Sequence, residues 1–315
     1  MRTDWKEGNL AMKLLKSSAI GVLAVGLLGS VSGCSRDKIE AINLANEGDQ
    51  SVKINVEGAI QKYEQAIDLD PTNHKILSKL ANAYEKKEDW DKVAATLARA
   101  VSVAPDFANY WAKRGHALIM LAEHGNPDAF KQAQEPLKKC IEKDPNFADC
   151  YHELAESYLW TDDEQAALDN YTKAIDHDPS KGFFYPPLAD LYLNLKLTKE
   201  AEAVLKEGTK LVPPNEKNNP KLYNMYVLSA KVAQMQGDKA GQVSAIEKAE
   251  QFAGDAHPEF AFNLGSTYAA MEPPQKEKAL RLLNAFTKRI CKGAQAMKFK
   301  DECEETQSLI QKLGS

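Results

Sequence analysis

The segment ALDNYTKAIDHDP, residues 167–179, decides the fold, because four other segments of the chain follow the same pattern. Each begins with a small residue or valine, has a large apolar residue four places later and a small residue three places after that, and ends in proline. Residues at these spacings form one stripe of an amphipathic helix, and the proline closes that helix. The other segments are 59–71, 93–105, 133–145 and 201–213.

The closing prolines recur with a nearly constant period. They are Pro71, Pro105, Pro145, Pro179 and Pro213, at spacings of 34, 40, 34 and 34 residues. A second pattern pairs a small residue with an aromatic residue or leucine three places on, so that a neighbouring helix can approach closely. Its five instances are Leu80-Ala81…Tyr84, Arg114-Gly115…Leu118, Leu154-Ala155…Tyr158, Leu188-Ala189…Tyr192 and Leu264-Gly265…Tyr268.

Together the two patterns resemble the tetratricopeptide repeat, a helix–turn–helix unit of 34 residues. Six copies are recognisable, at 74–107, 108–147, 148–181, 182–215, 223–257 and 258–291, and a degenerate first copy lies at 40–73. The resemblance implies an all-α fold, a right-handed superhelical solenoid of helix pairs with one continuous core. We expect Lys300 to Leu313 to form a polar-faced capping helix, because a solenoid needs its exposed end covered.

Three departures from the repeat are local. The copy from 108 carries six extra residues around AEHGNPDAF, which we assign to its inter-helix turn. The segment PPNEKNNPKL breaks the register after Pro213, and the copy from 258 has an extended Glu272-Pro273-Pro274 turn. Surface turns accept such insertions at little energetic cost.

The composition is that of an ordinary globular protein. The 315 residues are 43% apolar and 27% charged, which excludes a disordered or collagen-like chain. The formal charge is −5, with 40 Lys and Arg against 45 Asp and Glu, so the chain lacks the strongly basic character of a general nucleic-acid binder.

The N-terminal residues combine positive charge with an apolar run. Lys13 and Lys16 precede AIGVLAVGLLGSV, residues 19–31, and small residues follow it. This order is typical of a secretory signal, and the run is short for a membrane span. Translation begins at Met1 or Met12. We expect residues 1–33 to be a signal peptide, 34–39 a lipidated linker, 40–291 the solenoid and 292–315 the cap.

The end of that run, Val31-Ser32-Gly33-Cys34, resembles a bacterial lipobox, in which the cysteine is lipidated and becomes the new N-terminus. The alternative is a plain signal peptide with a chance cysteine. The resemblance implies a membrane anchor of two or more acyl chains on Cys34. Ser35 follows the cysteine in place of the aspartate that retains enteric lipoproteins at the inner membrane, which implies outer-membrane attachment facing the periplasm, with surface exposure as the alternative.

Motifs for catalysis and for metal or cofactor binding are missing from the sequence. His152-Glu153-Leu154-Ala155-Glu156 has glutamate where the HExxH zinc motif has its second histidine, and the repeat register accounts for every residue of it. No GxxxxGK[ST], GxGxxG or GxSxG occurs. We therefore expect no enzyme, no cofactor, no metal, no nucleic-acid partner and no small-molecule substrate.

The resemblance also implies a concave groove lined by the first helix of each pair. The positions that carry over are Asn82, Glu85, Lys86, Asn109, His116, Ile119, Met120, His152, Glu156, Leu159, Trp160, Phe183, Asp190, Leu193, Asn194, Asn224, Lys231 and Met235. Five of these form an expected apolar strip: Ile119, Met120, Leu159, Trp160 and Leu193. Some of them, Ile119 above all, have the alternative of packing on neighbouring repeats. An exposed apolar strip usually marks a partner site, and we expect an extended or helical protein segment there.

Four further cysteines remain once Cys34 is set apart. They form two local pairs, Cys140 with Cys150 and Cys291 with Cys303. Export places them in an oxidising compartment, where such pairs form disulfides. Cys140 and Cys150 occupy positions that face each other where consecutive repeats pack, so a Cα separation near the ~5.5 Å of a disulfide is expected. A bond between Cys291, at the end of the last repeat, and Cys303 would fasten the capping helix to the solenoid. The alternative is buried free thiols.

Two classes of function remain open, with an enzyme as a weak third. The first is a lipid-anchored scaffold or adaptor that assists assembly of a cell-envelope complex, for which the secretin pilotins are the most specific comparison. The second is a stationary structural component of a motility or surface complex. Repeat architecture alone does not choose the partner.

Overall fold

The computed structural model of the chain describes residues 36–253, 257–292 and 295–314, and these form helices joined by turns, without strands. The predicted signal peptide, 1–33, and Cys34 lie outside the described residues. The helices are α1 (36–51), α2 (Val56–Leu69), α3 (His74–Glu85), α4 (Trp90–Val103), α5 (Ala108–Glu123), α6 (Asp128–Lys143), α7 (Ala148–Leu159), α8 (Glu164–His177), α9 (Tyr185–Asn194), α10 (Thr198–Leu211), α11 (Asn219–Gln236), α12 (Lys239–Phe252), α13 (Pro258–Ala270), α14 (Lys276–Phe286) and α15 (Lys300–Gly314). A 3₁₀ turn, Gly182–Phe184, precedes α9, and a π-helical turn, Thr287–Cys291, follows α14.

The chain forms two compact units that divide after Pro145. Unit 1 contains α1 to α6 and unit 2 contains α7 to α15. Helices that follow each other in sequence pack as pairs: α3 with α4 and α5 with α6 in unit 1, and α7 with α8, α9 with α10, α11 with α12 and α13 with α14 in unit 2. The all-α fold of repeated helix pairs is thereby confirmed. The described part of the predicted linker, 36–39, is already helical.

The repeated prolines end the second helices as predicted. Helices α2, α4, α6, α8 and α10 each stop two residues before one of them. A proline disfavours helical backbone in the residue before it, because its ring contacts that residue's backbone and Cβ. Accordingly the residue between helix and proline has left the helical region at all five sites, with ψ angles of 78°, 71°, 94°, 81° and 114°.

The small residues of the second pattern are where paired helices touch. A Cβ added to Gly115 of α5 would lie 2.5 Å from Cγ of Leu137 in α6. The equivalent atom on Gly265 of α13 would lie 2.8 Å from Cγ of Leu283 in α14. Both leucines are completely buried. The glycines are therefore required by the close approach of the two helices in a pair.

The six extra residues of the copy from 108 are not in its turn, which corrects the sequence interpretation. Helices α5 and α6 have 16 residues each, whereas α3 and α4 have 12 and 14. The four residues 124–127 join α5 and α6, just as 86–89 join α3 and α4. Ala122, Ala129 and Phe130 of the inserted stretch are buried, so the apolar residues extend the helix pair and its core.

The C-terminal helix covers the last repeat, as predicted. Helix α15 packs against α13 and α14 and buries Thr306 and Leu313. A disulfide joins Cys291 to Cys303 with a Cα separation of 5.6 Å, which fastens α15 to the π-helical turn after α14. Cys140 and Cys150 are both completely buried, one in each unit, and their pairing stays a prediction.

We expect Gly115→Ala to lower the free energy of unfolding by about 1–2 kcal/mol, because the new methyl group overlaps Leu137. Helix propensity alone predicts the opposite sign, since alanine is about 1 kcal/mol better than glycine inside a helix. Chemical denaturation monitored by circular dichroism measures the change. Gly314→Ala is the control, because nothing lies within 4 Å of its Cβ position. Stabilisation by Gly115→Ala would contradict the close-contact account.

Peptide mapping without reduction tests both cysteine pairs in protein secreted to the periplasm. We expect linked peptides containing Cys291 with Cys303 and Cys140 with Cys150, because each pair is local in sequence and an oxidising compartment favours the bond. Free thiols at these positions, or a peptide that links Cys150 to Cys291, would refute the pairing.

Candidate functional site

Two residues of α7 and its C-cap residue form a row from the core of unit 2 to its surface. His152, Glu156 and Trp160 are spaced four apart, so they share one side of the helix and of its C-terminal turn. The side chain of His152 is buried, that of Glu156 is partly buried, and Trp160 is 66% exposed. Trp160 is the C-cap residue of α7 and is followed by the turn before α8, which leaves its ring at the solvent side.

His152 is a core residue, which corrects its assignment to the groove. Its ring contacts Tyr171, Phe183 and Phe184 at centroid distances of 5.5, 5.2 and 5.1 Å. Nε2 lies 3.4 Å from a carboxylate oxygen of Glu156, and the buried Nδ1 has no hydrogen-bond partner among the described residues. Burial, and secondarily the charge of Glu156, raises the pKa of Tyr171, so its hydroxyl stays protonated at neutral pH.

Phe183 extends the aromatic cluster to the surface. It lies in the 3₁₀ turn before α9, packs edge-on against both His152 and Phe184, and remains 39% exposed. Helix α9 continues this side with Asp190 and Asn194. Asp190 accepts a hydrogen bond from Nζ of Lys231 in α11 at 3.3 Å. The exposed, 47% accessible side chain of Met235 follows Lys231 one turn later.

We call the following set the unit-2 face: Glu156, Trp160, Phe183, Asp190, Asn194, Lys231 and Met235. It combines two exposed aromatic rings and a thioether with one carboxylate–ammonium pair, a second carboxylate and an amide. Because α7, α9 and α11 are all first helices of their pairs, these residues lie at the positions expected for the groove. Leu193 of α9, which the sequence also assigned to the groove, does not belong to this face. It is only 3% exposed, and α9 packs against both α10 and α11.

The corresponding positions of unit 1 are mostly polar or covered. Asn82 and Asn109 are exposed, and Asn82 accepts a hydrogen bond from Nζ of Lys113 at 2.5 Å. His116 is partly buried and contacts the ring of Trp90 edge-on. Ile119 is only 3% exposed, and Met120 packs against the unit-1 core.

The expected apolar strip is therefore wrong as a set of five exposed side chains. Ile119 and Leu193 are buried, Met120 and Leu159 are partly buried, and Trp160 alone of the five is largely exposed. Phe183, which the repeat positions also placed in the groove, carries the second exposed aromatic ring of the unit-2 face. The cluster around His152 was missed, because the 3₁₀ turn that positions Phe183 and Phe184 interrupts the repeat pattern.

The described residues contain no group of three or more His, Cys, Asp and Glu side chains arranged to hold a metal ion. Within the same residues, no helix combines the length and the apolar character needed to cross a membrane. The chemistry available on the unit-2 face is that of apolar contact, ion pairing and hydrogen bonding.

Comparison with known proteins agrees with this repeated architecture. The tetratricopeptide repeat family profile matches residues 55–117 and, separately, residues 137–175. The chain contains tetratricopeptide repeats. Small glutamine-rich tetratricopeptide repeat-containing protein 2 of Mycosarcoma maydis is 26% identical over 147 residues, 46% of this chain. The chain matches 39% of that relative's length.

Solved structures resemble the fold over longer stretches. A tetratricopeptide repeat protein from Parabacteroides merdae superposes with a TM-score of 0.56 at 14% identity, covering 88% of this chain and 99% of that one. The structure of pilF from Pseudomonas aeruginosa gives a TM-score of 0.52 at 14% identity, covering 71% and 97%. At these identities the likeness is one of fold. Tetratricopeptide repeats form extended binding surfaces for protein segments, so the chain has the architecture of a protein-binding scaffold.

Thermal melting of two variants separates the core residue of α7 from its surface residue. We expect His152→Ala to lower the melting temperature by several degrees, because three aromatic rings lose their packing partner and about 1 kcal/mol corresponds to about 2–4 °C in a domain of this size. Trp160→Ala should change it by less than about 2 °C, since surface substitutions usually cost less than 0.5 kcal/mol. The reverse order would show that Trp160 belongs to the core.

Proposed function

We propose that the chain is a lipid-anchored adaptor of the bacterial cell envelope that binds an extended or helical segment of a partner protein on the unit-2 face. The observation that carries the proposal is Trp160, an indole 66% exposed on the side of α7 that continues into the face. Aromatic side chains dominate the energetics of protein interfaces, and an exposed apolar area bordered by polar residues often marks a partner site.

The rest of the face suits a peptide of mixed character. Phe183 and Met235 offer apolar surface, and a methionine side chain adapts to irregular partners. Asp190 and Lys231 form an exposed pair whose members are each about half accessible, so either can exchange its partner for a charged group of a peptide. Asn194 adds an exposed amide that donates and accepts hydrogen bonds to a peptide backbone.

The membrane anchor rests on the residues before α1. Lys13 and Lys16, the apolar run 19–31 and the lipobox-like end at Cys34 support export and lipidation. The Cys291–Cys303 disulfide supports the same compartment, since structural disulfides persist outside the reducing cytoplasm. We therefore place the protein at the outer membrane, anchored by lipid and facing the periplasm. A pilotin-like role, in which the scaffold escorts a subunit of an envelope machine, is the most specific form of the proposal, and it involves no catalysis.

Substitution of Trp160 tests the binding face. We expect Trp160→Ala to weaken partner binding by more than about 1 kcal/mol, or roughly fivefold, because an interface tryptophan is a frequent hot spot. The measurement is quantitative mass spectrometry of proteins that co-purify with the tagged, full-length chain from its native cells. Ile54→Ala is the matched control, since Ile54 is also an exposed apolar residue, at 91%, but lies in unit 1.

If every co-purifying protein is recovered with Trp160→Ala in the same amount as with the wild type, the unit-2 face is not the binding site. The stoichiometry of the recovered complex separates the two functional classes. An assembly factor is recovered in transient, sub-stoichiometric amounts, whereas a stationary structural component is recovered in fixed proportion to its partners.

Labelling with radioactive palmitate tests the anchor. We expect label in the wild-type chain and none in Cys34→Ala, because the lipobox-like sequence offers that cysteine alone for acylation. Cys303→Ala is the control and should label like the wild type. Equal labelling of the wild type and Cys34→Ala would refute lipidation at this site.

A further inference from the structure

The first described helix has two isoleucines that the described residues of unit 1 leave half-exposed or more. Helix α1 packs against the unit through Ala41 and Ala45, which are 0% and 2% exposed. Ile39 and Ile42 lie three residues apart on a different side, so they are neighbours on the helix surface. They are 59% and 50% exposed.

The last described helix, α15, has a different set of exposed residues. All the exposed residues of α15 are polar or glycine: Lys300, Asp301, Glu304, Glu305, Gln307, Ser308, Gln311, Lys312 and Gly314. A polar outer side is what the terminal helix of a repeat array needs for solubility. Helix α1, the first described helix, departs from this rule at Ile39 and Ile42, which favours a surface that covers this part of α1.

The position of α1 in the chain identifies what covers it. Cys34 precedes Arg36, the first described residue of α1, by only two residues, so the two Cα atoms are at most about 7 Å apart. Ile39 and Ile42 follow within the first two turns, about 5 and 9 Å along the helix from Arg36. Acyl chains on Cys34 would be inserted in a bilayer, and this part of α1 would then lie at the bilayer surface.

The flanking charges fit the same surface. Arg36 and Lys38 are both exposed next to the isoleucines. Long basic side chains can extend from an apolar contact toward lipid headgroups, and they are attracted to anionic lipids. Asp37 and Glu40 alternate with them, so the attraction depends on the apolar contact and is not that of a polybasic segment.

Helix α1 is also firmly joined to the rest of unit 1. Lys62 of α2 pairs with Glu47 at 2.6 Å, and the hydroxyl of Tyr63 donates to Asp49 at 2.8 Å. Lys79 of α3 forms an ion pair with the same Asp49. A Cβ on Gly48 would lie 2.6 Å from the ring of Tyr63, so α1 and α2 are in close contact. Whatever α1 binds therefore orients unit 1 as well.

We propose that the first two turns of α1, through Ile39 and Ile42, bind the surface of the lipid bilayer beside the anchor and hold unit 1 in a fixed orientation on the membrane. The proposal rests on the lipid anchor at Cys34 proposed above. It adds a second membrane contact, made by the folded protein itself, to the flexible attachment that acyl chains alone would give.

Quenching by brominated lipids tests this contact in the full-length, processed protein. A fluorescent amino acid is incorporated at position 39 in one sample and at position 54 in the other. Both isoleucines are exposed, and Ile54 lies beyond the far end of α1, whose 16 residues span about 24 Å. Each protein is reconstituted into vesicles of phosphatidylethanolamine and phosphatidylglycerol, with or without bromine on the acyl chains, after lipidation has been verified by mass and folding by thermal melting.

We expect brominated lipid to reduce emission at position 39 by at least about twofold, because interfacial helices insert their apolar side about 5–10 Å into the headgroup boundary, and to leave position 54 nearly unchanged. Lipidated protein that shows no quenching, or equal quenching at both positions, would overturn the contact while leaving the anchor intact. A blue shift at position 39 without quenching would also overturn it, since a second protein copy would then be the cover. Absence of lipidation would overturn both proposals.

Discussion

The close approach of the two helices within each pair is the constraint on which the rest of the structure depends. At Gly115 and Gly265 the second helix places a buried leucine where any side chain atom would be. Interiors packed at this density accept few changes of volume, so each pair behaves as one rigid element. Because one side of the first helix packs against the second helix of the same pair, its opposite side faces neighbouring pairs or solvent.

The unit-2 face is a consequence of that packing. Along α7 the same helical side begins in the core at His152 and reaches solvent at Trp160, because the helix ends there and α8 turns back beneath it. The aromatic cluster of His152, Tyr171, Phe183 and Phe184 supports the buried end. A rigid base below an exposed indole limits the entropy lost on binding, which favours recognition of a partner segment.

Much of the fold could be read from the sequence, since its determinants are local. Each proline restricts the backbone of the residue before it, and the small residues at fixed spacing mark helix contacts, so the helix pairs and the capping helix were predictable.

The burial of individual side chains could not be predicted in the same way. Ile119 and Leu193 have the spacing of groove residues but are buried, because the period of the pattern does not encode how far neighbouring helices cover a side chain. The six inserted residues of the copy from 108 were misplaced for a related reason: glycine, asparagine and proline marked a turn, whereas the apolar residues around them lengthened both helices. The exposed isoleucines of α1 were overlooked because the first repeat matches the pattern poorly.

Site-specific photo-cross-linking in the native cells tests the central claim, that the unit-2 face holds a segment of a partner protein, most directly. A photoreactive amino acid is placed at position 160 on the face or at position 173, an exposed position of α8 in the same unit. The account predicts a discrete cross-linked protein from position 160, joined through one contiguous segment of the partner, and little or none from position 173. Cross-linking of the same proteins with equal yield at both positions, or none at position 160, would contradict it.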